Sequence, residues 1–402
     1  MSTNIYPVAG IQIGTACAGI KQTEHDDLTL FQLAPQSTCA SVFTQNAFCA
    51  APVTVAKHHL SEQTPRYLLI NSGNANAGTG QQGMQDALFC CQAVSQGANC
   101  DTTQVLPFST GVIGQGLPVD KIQTAIPTAL QNMGATIADW QRAAAAIMTT
   151  DTKPKLASKQ IMIADKTVTI TGISKGSGMI KPDMATMLAY VATDANVAQE
   201  VLQACLNDAV NQSFNRITVD GDTSTNDACI LMATGQTDLE HIDSTQHPYY
   251  AALTEAVTDI CIQLAQAIVK DGEGATKFIS IDVSEGLNEQ ECLDIAYTVA
   301  HSPLVKTAFY ASDANWGRIL AAVGRAGLQD FDIEKIKIYL DAVCIVENGG
   351  VAASYAEQQG QAVMSQAEIT VRIELGRGEA HAIVWTCDLS YDYVRINAEY
   401  RT

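Results

Sequence analysis

The 402-residue sequence predicts a layered α/β (α+β) fold with mostly antiparallel sheets. Strand-like and helix-like segments alternate without a regular βαβ period, and the later strands are joined by short ENGG and GRGE turns typical of hairpins. Apolar residues make up 47% of the chain, enough for a large core. The length is too great for one ordinary core, so we expect two or three lobes. The missing βαβ period favours the layered arrangement over a Rossmann or barrel fold.

Apolar periodicity predicts the individual elements. Strands are expected at Val8–Ile13, Leu28–Leu33, Tyr67–Ile70, Val105–Phe108, 160–171, Met187–Ala192, Arg216–Val219, Ala228–Ala233, Phe278–Val283, Lys335–Val346, Glu368–Leu375 and Glu379–Leu389. Helices are expected at about 82–97, 119–133, 137–148, 197–211, 248–270, 288–301 and 311–327. Residues 39–56 read as a strand followed by a turn at Pro52, and Asp165-Lys166 as a hairpin turn. The aromatic C-terminal segment is expected to dock onto the body.

Composition excludes several classes of partner. The formal net charge is −19, which argues against nucleic-acid or anionic-membrane binding because phosphate contacts need clustered Lys and Arg. The first 20 residues lack a signal-peptide pattern, and no run of about 18 apolar residues predicts a membrane helix. We therefore expect a soluble cytoplasmic protein. The twelve cysteines lack disulfide or zinc spacing, so reduced, mostly buried thiols are expected.

Seven polar loops at element junctions are the candidates for a site. They are NSGNANAG, STGVIG, TTDT, KGSGM, DGDTSTND, DGEGATK and SDANWG. KGSGM is not a P-loop, because its lysine precedes the glycines, and DGDTSTND lacks the glycine and glutamate of an EF-hand. Ordinary turns use the same residues, but seven glycine-bounded or hydroxyl-rich loops in one chain favour an active-site rim.

The stretch 172–195 delivers a threonine to the start of an apolar run. A small-residue loop, Gly172–Gly178, leads through Ala185 to Thr186 and then to the predicted strand Met187–Ala192. Threonine suits a strand start, so a purely structural role is the simple interpretation. The alternative is that this threonine carries chemistry.

The loops, taken together and in order, resemble one enzyme family. KGSGMIKPDMATML is similar to the signature of the ornithine acetyltransferase (glutamate N-acetyltransferase) family, the bifunctional proteins of arginine biosynthesis. FTQNAFCAAPV, NSGNANAGTG, STGVIG, TTDTKPK, DGDTSTND, KDGEGATK, SDANWGRILAAVGRAG and NAEYRT also match. The resemblance covers essentially the whole chain. Gly78 departs from the family's usual cysteine and puts no catalytic position in doubt.

This resemblance implies an α/β/β/α sandwich with the chemistry of N-terminal-nucleophile hydrolases. It implies self-cleavage between Ala185 and Thr186, giving an α-chain, 1–185, and a β-chain, 186–402, that stay intertwined and assemble as α2β2. Cleavage would give Thr186 a free α-amine, whose unperturbed pKa of about 8 suits a general base. A threonine with its own amine is a known activated nucleophile.

The resemblance also assigns roles to residues. Thr186 is the implied nucleophile of a ping-pong transfer of acetyl from N-acetylornithine to glutamate, and Thr110 and Gly111 form the implied oxyanion hole. Substrate contacts are implied at Thr149, Lys175, Thr186, Glu273, Asn397 and Thr402. Lys175 would face an α-carboxylate and Glu273 the ornithine δ-ammonium. No cofactor or metal is implied, and whether acetyl-CoA is also a substrate stays open.

Two other interpretations compete with the transferase. A self-cleaving aminopeptidase or amidase of the same fold would use water as the acceptor in place of glutamate. A binding protein that had lost the chemistry is the second, and the intact Ala185-Thr186 junction argues against it.

Overall fold

The computed structural model describes residues 4–21, 25–181 and 187–399, and the chain divides into two compact units. The first unit is Met1–Asn215 with Asp222–Ile268, and the second is Arg216–Gly221 with Val269–Thr402. The predicted nucleophile and cleavage site, Ala185 and Thr186, lie outside the described residues, and so does Thr402.

The first unit contains two sheets and their helices. Its strands are β1 (Ile11–Ala16), β2 (Leu28–Leu33), β3 (Thr38–Phe43), β4 (Tyr67–Asn74), β5 (Val105–Val112), β6 (Lys155–Ile163), β7 (Lys166–Lys175), β8 (Leu188–Thr193) and β9 (Ala228–Ala233). Its helices are α1 (Ala51–Glu62), α2 (Gly80–Ala98), α3 (Val119–Gln131), α4 (Ile137–Ala146), α5 (Gln199–Gln212) and α6 (Tyr250–Lys270), whose end enters the second unit.

The strands of the first unit pair in the orders β1-β2-β4-β5 and β3-β9-β8-β7-β6. Only β4 with β5 and β8 with β9 run parallel among the described pairs; the others are antiparallel. Five of these seven described pairs are antiparallel, so antiparallel pairing dominates, as predicted.

The two sheets pack face to face through an aromatic core. Tyr190 of β8 stacks on Phe31 of β2 with ring centroids 5.5 Å apart, and Phe108 of β5 meets Tyr190 edge-on at 5.3 Å. Trp140 of α4 reaches the same core, 5.8 Å from Phe31. All four side chains are buried, so this inter-sheet layer fixes β5 and β8 relative to each other.

Helices cover both outer faces of the sandwich. On the β1-β2-β4-β5 sheet, α2 packs Cys91 and Val94 against Leu69 and Val105, and α3 adds Ile122 to the same cluster. On the second sheet, α5 binds the backbone of β3, and α6 approaches β7 so closely that a Cβ on Gly172 would lie 3.0 Å from Leu264 Cδ1. The first unit is therefore the α/β/β/α sandwich that the sequence predicted.

The second unit is one sheet with helices. Its strands are β10 (Phe278–Gly286), β11 (Lys337–Leu340), β12 (Val343–Glu347), β13 (Gly350–Val351), β14 (Glu368–Glu374) and β15 (Ala380–Cys387), in the order β13-β12-β11-β14-β10-β15. Its helices are α7 (Glu289–Ala300), α8 (Pro303–Tyr310), α9 (Trp316–Gly324), α10 (Glu357–Met364) and α11 (Tyr391–Ala398). Ile281, Val371 and Val384 of the sheet share a core with Val299 and Phe309.

One predicted turn is wrong. Pro52 does not end a strand but lies in the first turn of α1, which runs to Glu62. Proline fits there because the first helical N–H groups have no partner within the helix. The predicted hairpin turn is displaced by one residue, to Ala164-Asp165, where both residues have positive φ.

Helix α6 is long and apolar enough to meet a length-and-composition test for a membrane span, but 56% of its most apolar stretch is buried inside the protein. The core helix of a globular protein passes the same test. All twelve cysteines lie in the described ranges as unpaired thiols, and eight of them are buried.

Candidate active site

Thr110 and Gly111 lie at an irregular end of the parallel strands β4 and β5. Asn74 pairs with both Thr110 and Val112, so the register shifts there. Gly111 has φ +134°, and a Cβ at this position would lie 2.3 Å from the carbonyl carbon of Gly73. Only glycine permits so close a backbone approach. The predicted oxyanion-hole pair is thus held in a conformation that the local packing dictates.

Lys175 ends β7 beside this pair. Its ammonium donates to the Thr149 hydroxyl oxygen at 2.8 Å and to the Thr110 hydroxyl oxygen at 3.3 Å. The residue is 8% exposed, so these contacts lie in a shielded environment. Three of the predicted site residues therefore meet, although they come from three separate loops of the sequence.

A buried carboxylate, Asp151, anchors this lysine. Its oxygens accept hydrogen bonds from Lys155 Nζ at 2.6 Å, the Gly176 amide at 2.7 Å and the Thr149 amide at 3.0 Å. Lys175 Nζ lies 3.9 Å away. Burial by itself would raise the pKa of Asp151, but the two lysines and the hydrogen bonds hold that pKa well below its usual range. The carboxylate therefore stays ionised and balances the charge of Lys175.

Lys21 is a second cation near the site that the sequence motifs did not indicate. Its ammonium donates to the Met148 carbonyl oxygen, and its backbone amide donates to the Asp27 carboxylate at 3.1 Å. Burial lowers its pKa to about 8; Asp27 opposes this effect, and the charge of Lys175 adds to it. Its side chain also packs against Gly73, where an added Cβ would lie 2.9 Å from Lys21 Cγ.

The strand after the predicted nucleophile is part of the same arrangement. Leu188, two residues after Thr186 in the chain, pairs with Lys175 on β7 and with Ala228 on β9. Every residue of β8 is buried, which agrees with the predicted apolar strand. The hydroxyl–lysine cluster therefore lies directly beside β8, the strand that follows the predicted nucleophile in the sequence.

In the second unit, Glu273 and Asn397 contact each other. The Asn397 amide donates to Glu273 Oε2 at 2.7 Å, and Glu273 is 8% exposed. Their contact brings the loop after α6 against α11. The loop is tight, because Gly274 has φ +69° and a Cβ there would lie 2.6 Å from the Tyr393 amide nitrogen. The predicted C-terminal docking is confirmed by this helix.

A buried hydroxyl and a tightly packed glycine beside an ion-paired lysine, on an α/β/β/α sandwich, fit the class of acyl-transferring enzymes, which must stabilise an oxyanion. Residues 12–402 match the sequence model of the ArgJ family. The chain therefore belongs to the ArgJ family and is an acyltransferase of that family.

The chain is similar to several named proteins. The arginine biosynthesis bifunctional protein ArgJ of Pseudomonas syringae pv. tomato is 56% identical over 398 residues, covering 99% of this chain and 98% of the relative. The crystal structure of the arginine biosynthesis bifunctional protein ArgJ from Bacillus halodurans is 41% identical, with a TM-score of 0.51, over 54% of this chain and 100% of that chain. The Mycobacterium tuberculosis ornithine acetyltransferase, solved with ornithine, is 33% identical over 44% of this chain and 94% of its own, with a TM-score of 0.40.

These matches support the transferase over the aminopeptidase or amidase alternative. Sequence reasoning found Thr110, Gly111, Thr149 and Lys175 through their motifs. It passed over Asp151 and Lys155, although a carboxylate and a lysine four residues apart in TTDTKPK were a usable signal. Lys21 has no comparable signal in the sequence.

Proposed function

We propose that the enzyme transfers the acetyl group of N2-acetylornithine to glutamate in arginine biosynthesis, with Thr186 as the nucleophile. The observation that carries the proposal is the contact between Lys175 and Thr110, made by the strand that pairs with Leu188. It joins the proposed oxyanion hole to β7, the neighbour of the strand that follows the proposed nucleophile. We also propose that the enzyme works in the cytoplasm.

The nucleophile would arise by self-cleavage. Thr186 Oγ attacks the Ala185 carbonyl carbon, the peptide C–N bond breaks, and water hydrolyses the resulting ester. The products are a carboxylate at Ala185 and a free α-amine at Thr186. In support, residues 186–402 are 217 of the 402 residues, or 54%, and the solved B. halodurans chain in its entirety matches the same share of this chain.

The two products would remain together because they share one sheet. Strands β8 and β9, which follow Thr186, lie between β3 and β7, which precede it. Separating the fragments would break two strand interfaces and expose the aromatic core. We propose that the processed chains then assemble as α2β2.

The transfer would proceed in two balanced half-reactions. The Thr186 hydroxyl passes its proton to its own α-amine while Oγ attacks the acetyl carbonyl carbon. The amide C–N bond of N-acetylornithine breaks, and the α-ammonium of Thr186 returns the proton to the α-nitrogen of the departing ornithine. The glutamate α-amine then attacks acetyl-Thr186 by the reverse sequence, and N-acetylglutamate leaves.

Lys175 would polarise the oxyanion hole. An ammonium is a donor only, so its contact with Thr110 uses a lone pair of the hydroxyl oxygen. The Thr110 O–H bond is then available to donate to the oxyanion, together with the Gly111 N–H. The positive charge of Lys175 also suits a substrate α-carboxylate, as the family resemblance implies.

The remaining substrate contacts are proposed at Thr149, Glu273, Asn397 and Thr402. Glu273 would pair with the ornithine δ-ammonium, and its hydrogen bond with Asn397 would hold the carboxylate in one orientation. Glutamate has no δ-ammonium, so this contact would serve only the first half-reaction.

The test is product analysis. Incubation with N-acetylornithine should release ornithine, and added glutamate should yield N-acetylglutamate. Acetate released at the same rate with and without glutamate would overturn the transferase proposal.

A second activity is proposed from the names of the relatives, several of which are called bifunctional. We propose that acetyl-CoA can also acetylate Thr186 and so supply acetyl groups to glutamate. Radiolabelled acetyl-CoA should label N-acetylglutamate when N-acetylornithine is left out, and an unlabelled product would contradict this second activity.

A further inference from the structure

We propose that Asn226 is a positioning residue that fixes the oxyanion-hole strand relative to the strand that follows Thr186. The inference rests on the function proposed above. Asn226 belongs to the DGDTSTND loop, for which neither the predicted chemistry nor the family resemblance provided a role.

The Asn226 side chain makes a complete set of hydrogen bonds. Its Nδ2 donates to the Ser109 carbonyl oxygen at 2.9 Å and to the Ala75 carbonyl oxygen at 2.6 Å, and its Oδ1 accepts from the Thr225 hydroxyl at 2.5 Å. The residue is 6% exposed. Because both amide hydrogens meet carbonyl oxygens, a carboxylate of the same shape cannot replace this amide.

These contacts cross between the two sheets of the sandwich. Ser109 immediately precedes Thr110 on β5, which is an edge strand in the described part of its sheet. Asn226 lies two residues before Ala228, the first residue of β9, and Ala228 pairs with Leu188 on β8. The Asn226 side chain therefore links the backbone just before the oxyanion hole to the start of β9, the strand that pairs with β8.

The same strand end is held on its other side by a second amide. The Ser109 hydroxyl donates to Asn71 Oδ1 at 2.6 Å, and Asn71 Nδ2 donates to the Asn74 carbonyl oxygen at 2.9 Å. Asn71 acts within one sheet, whereas Asn226 acts between sheets. Without the Asn226 side chain, Thr110 and Gly111 should therefore shift together relative to Thr186. The geometry of the oxyanion hole itself should stay intact.

If the Asn226 hydrogen bonds were purely structural, their loss would lower Tm without a selective decrease in kcat. Gln203 provides the matched control, because its amide also joins two elements: Nε2 donates to the Ser41 carbonyl oxygen at 3.0 Å, and Oε1 accepts from the Ser41 amide at 3.1 Å. It ties α5 to β3 and takes no part in the proposed site. Asn226→Asp and Gln203→Glu make the same chemical change.

The experiment measures kcat and KM for acetyl transfer per mole of cleaved chain, together with thermal unfolding, in the wild type and both variants. A shift of about 1 Å in an active-site group costs ~10²-fold in rate, so Asn226→Asp should lower kcat by roughly that factor with KM changed less than about threefold. Gln203→Glu should keep the wild-type kcat. If Asn226→Asp does not fold, Asn226→Ala removes the donors without adding charge and should show the same split.

An Asn226 variant that keeps the wild-type kcat, or loses no more kcat than Gln203→Glu at equal loss of Tm, would overturn the positioning role. A wild type with no acetyl transfer would instead defeat the proposed function itself. The two failures are therefore separable.

Discussion

The ammonium of Lys175 lies 3.3 Å from the hydroxyl oxygen of Thr110, although the two residues are 65 positions apart in the chain. This contact joins the two sheets of the sandwich at the point where their strands end. Lys175→Met should remove it and lower kcat for acetyl transfer by up to ~10²- to 10³-fold, the effect expected if Thr110, which Lys175 orients, no longer donates to the oxyanion. Lys159→Met is the control, because its ion pair with Asp259 is half exposed and worth less than about 1 kcal/mol. Steady-state kinetics give kcat for both variants. Equal kcat values for Lys175→Met and Lys159→Met would contradict the role of Lys175.

Asp151 should contribute to stability in a pH-dependent way. Its folded-state pKa is held below the unfolded value, so its contribution is present above about pH 4 and is lost as the pH falls below that. Asp151→Asn leaves Lys155 and Lys175 without a buried counter-charge and should destabilise the protein by about 3–5 kcal/mol at pH 7. Urea unfolding between pH 3 and pH 7 measures both effects. Asp238→Asn, on the surface beside Lys166, is the control; a matching profile for the two variants would refute the prediction.

Asp227 should affect the pH dependence of stability in the opposite direction to Asp151. Its carboxyl is buried beside β8, and Oδ2 has no hydrogen-bond partner among the described residues. Burial raises its pKa well above the usual range, and Ser224 and Lys175 only partly oppose this. The stability that it contributes is present below about pH 4 and is lost as the pH rises towards the folded-state pKa. Asp227→Asn should therefore raise the free energy of unfolding at pH 7 more than at pH 4. Destabilisation at pH 7 would contradict this account.

Glu273→Gln should separate the two substrates. Losing a charge-assisted contact costs about 1.5–3 kcal/mol, so KM for N-acetylornithine should rise by ~10- to 100-fold. The KM for glutamate should not rise, since glutamate carries no δ-ammonium. Glu285→Gln is a control carboxylate in the same unit. Measuring both half-reactions tests the assignment, and a parallel rise in both KM values would count against it.

Most of the secondary structure follows from apolar periodicity. Helix α6 and strand β9 match their predicted limits closely, because each carries a sustained pattern that burial enforces. The sequence pattern does not predict helix α1, because Pro52 indicates a turn after a strand, although proline is equally suited to a first helical turn.

For the site, local motifs predict individual residues but not the contacts between them. The motifs indicated Thr110 and Lys175 as separate candidates, but their contact depends on how two sheets stack, which no local pattern contains. Lys21 illustrates the limit: its place near the site follows from close packing against Gly73, a consequence of the tertiary structure alone.

We propose above that the chain becomes an enzyme by cutting itself before Thr186. Intact-mass analysis and N-terminal sequencing of the purified protein would detect this cut. We expect two fragments, the second beginning at Thr186, and a single uncut, inactive chain for Thr186→Ala. A fully active wild type that consists of one uncut chain of 402 residues would contradict it.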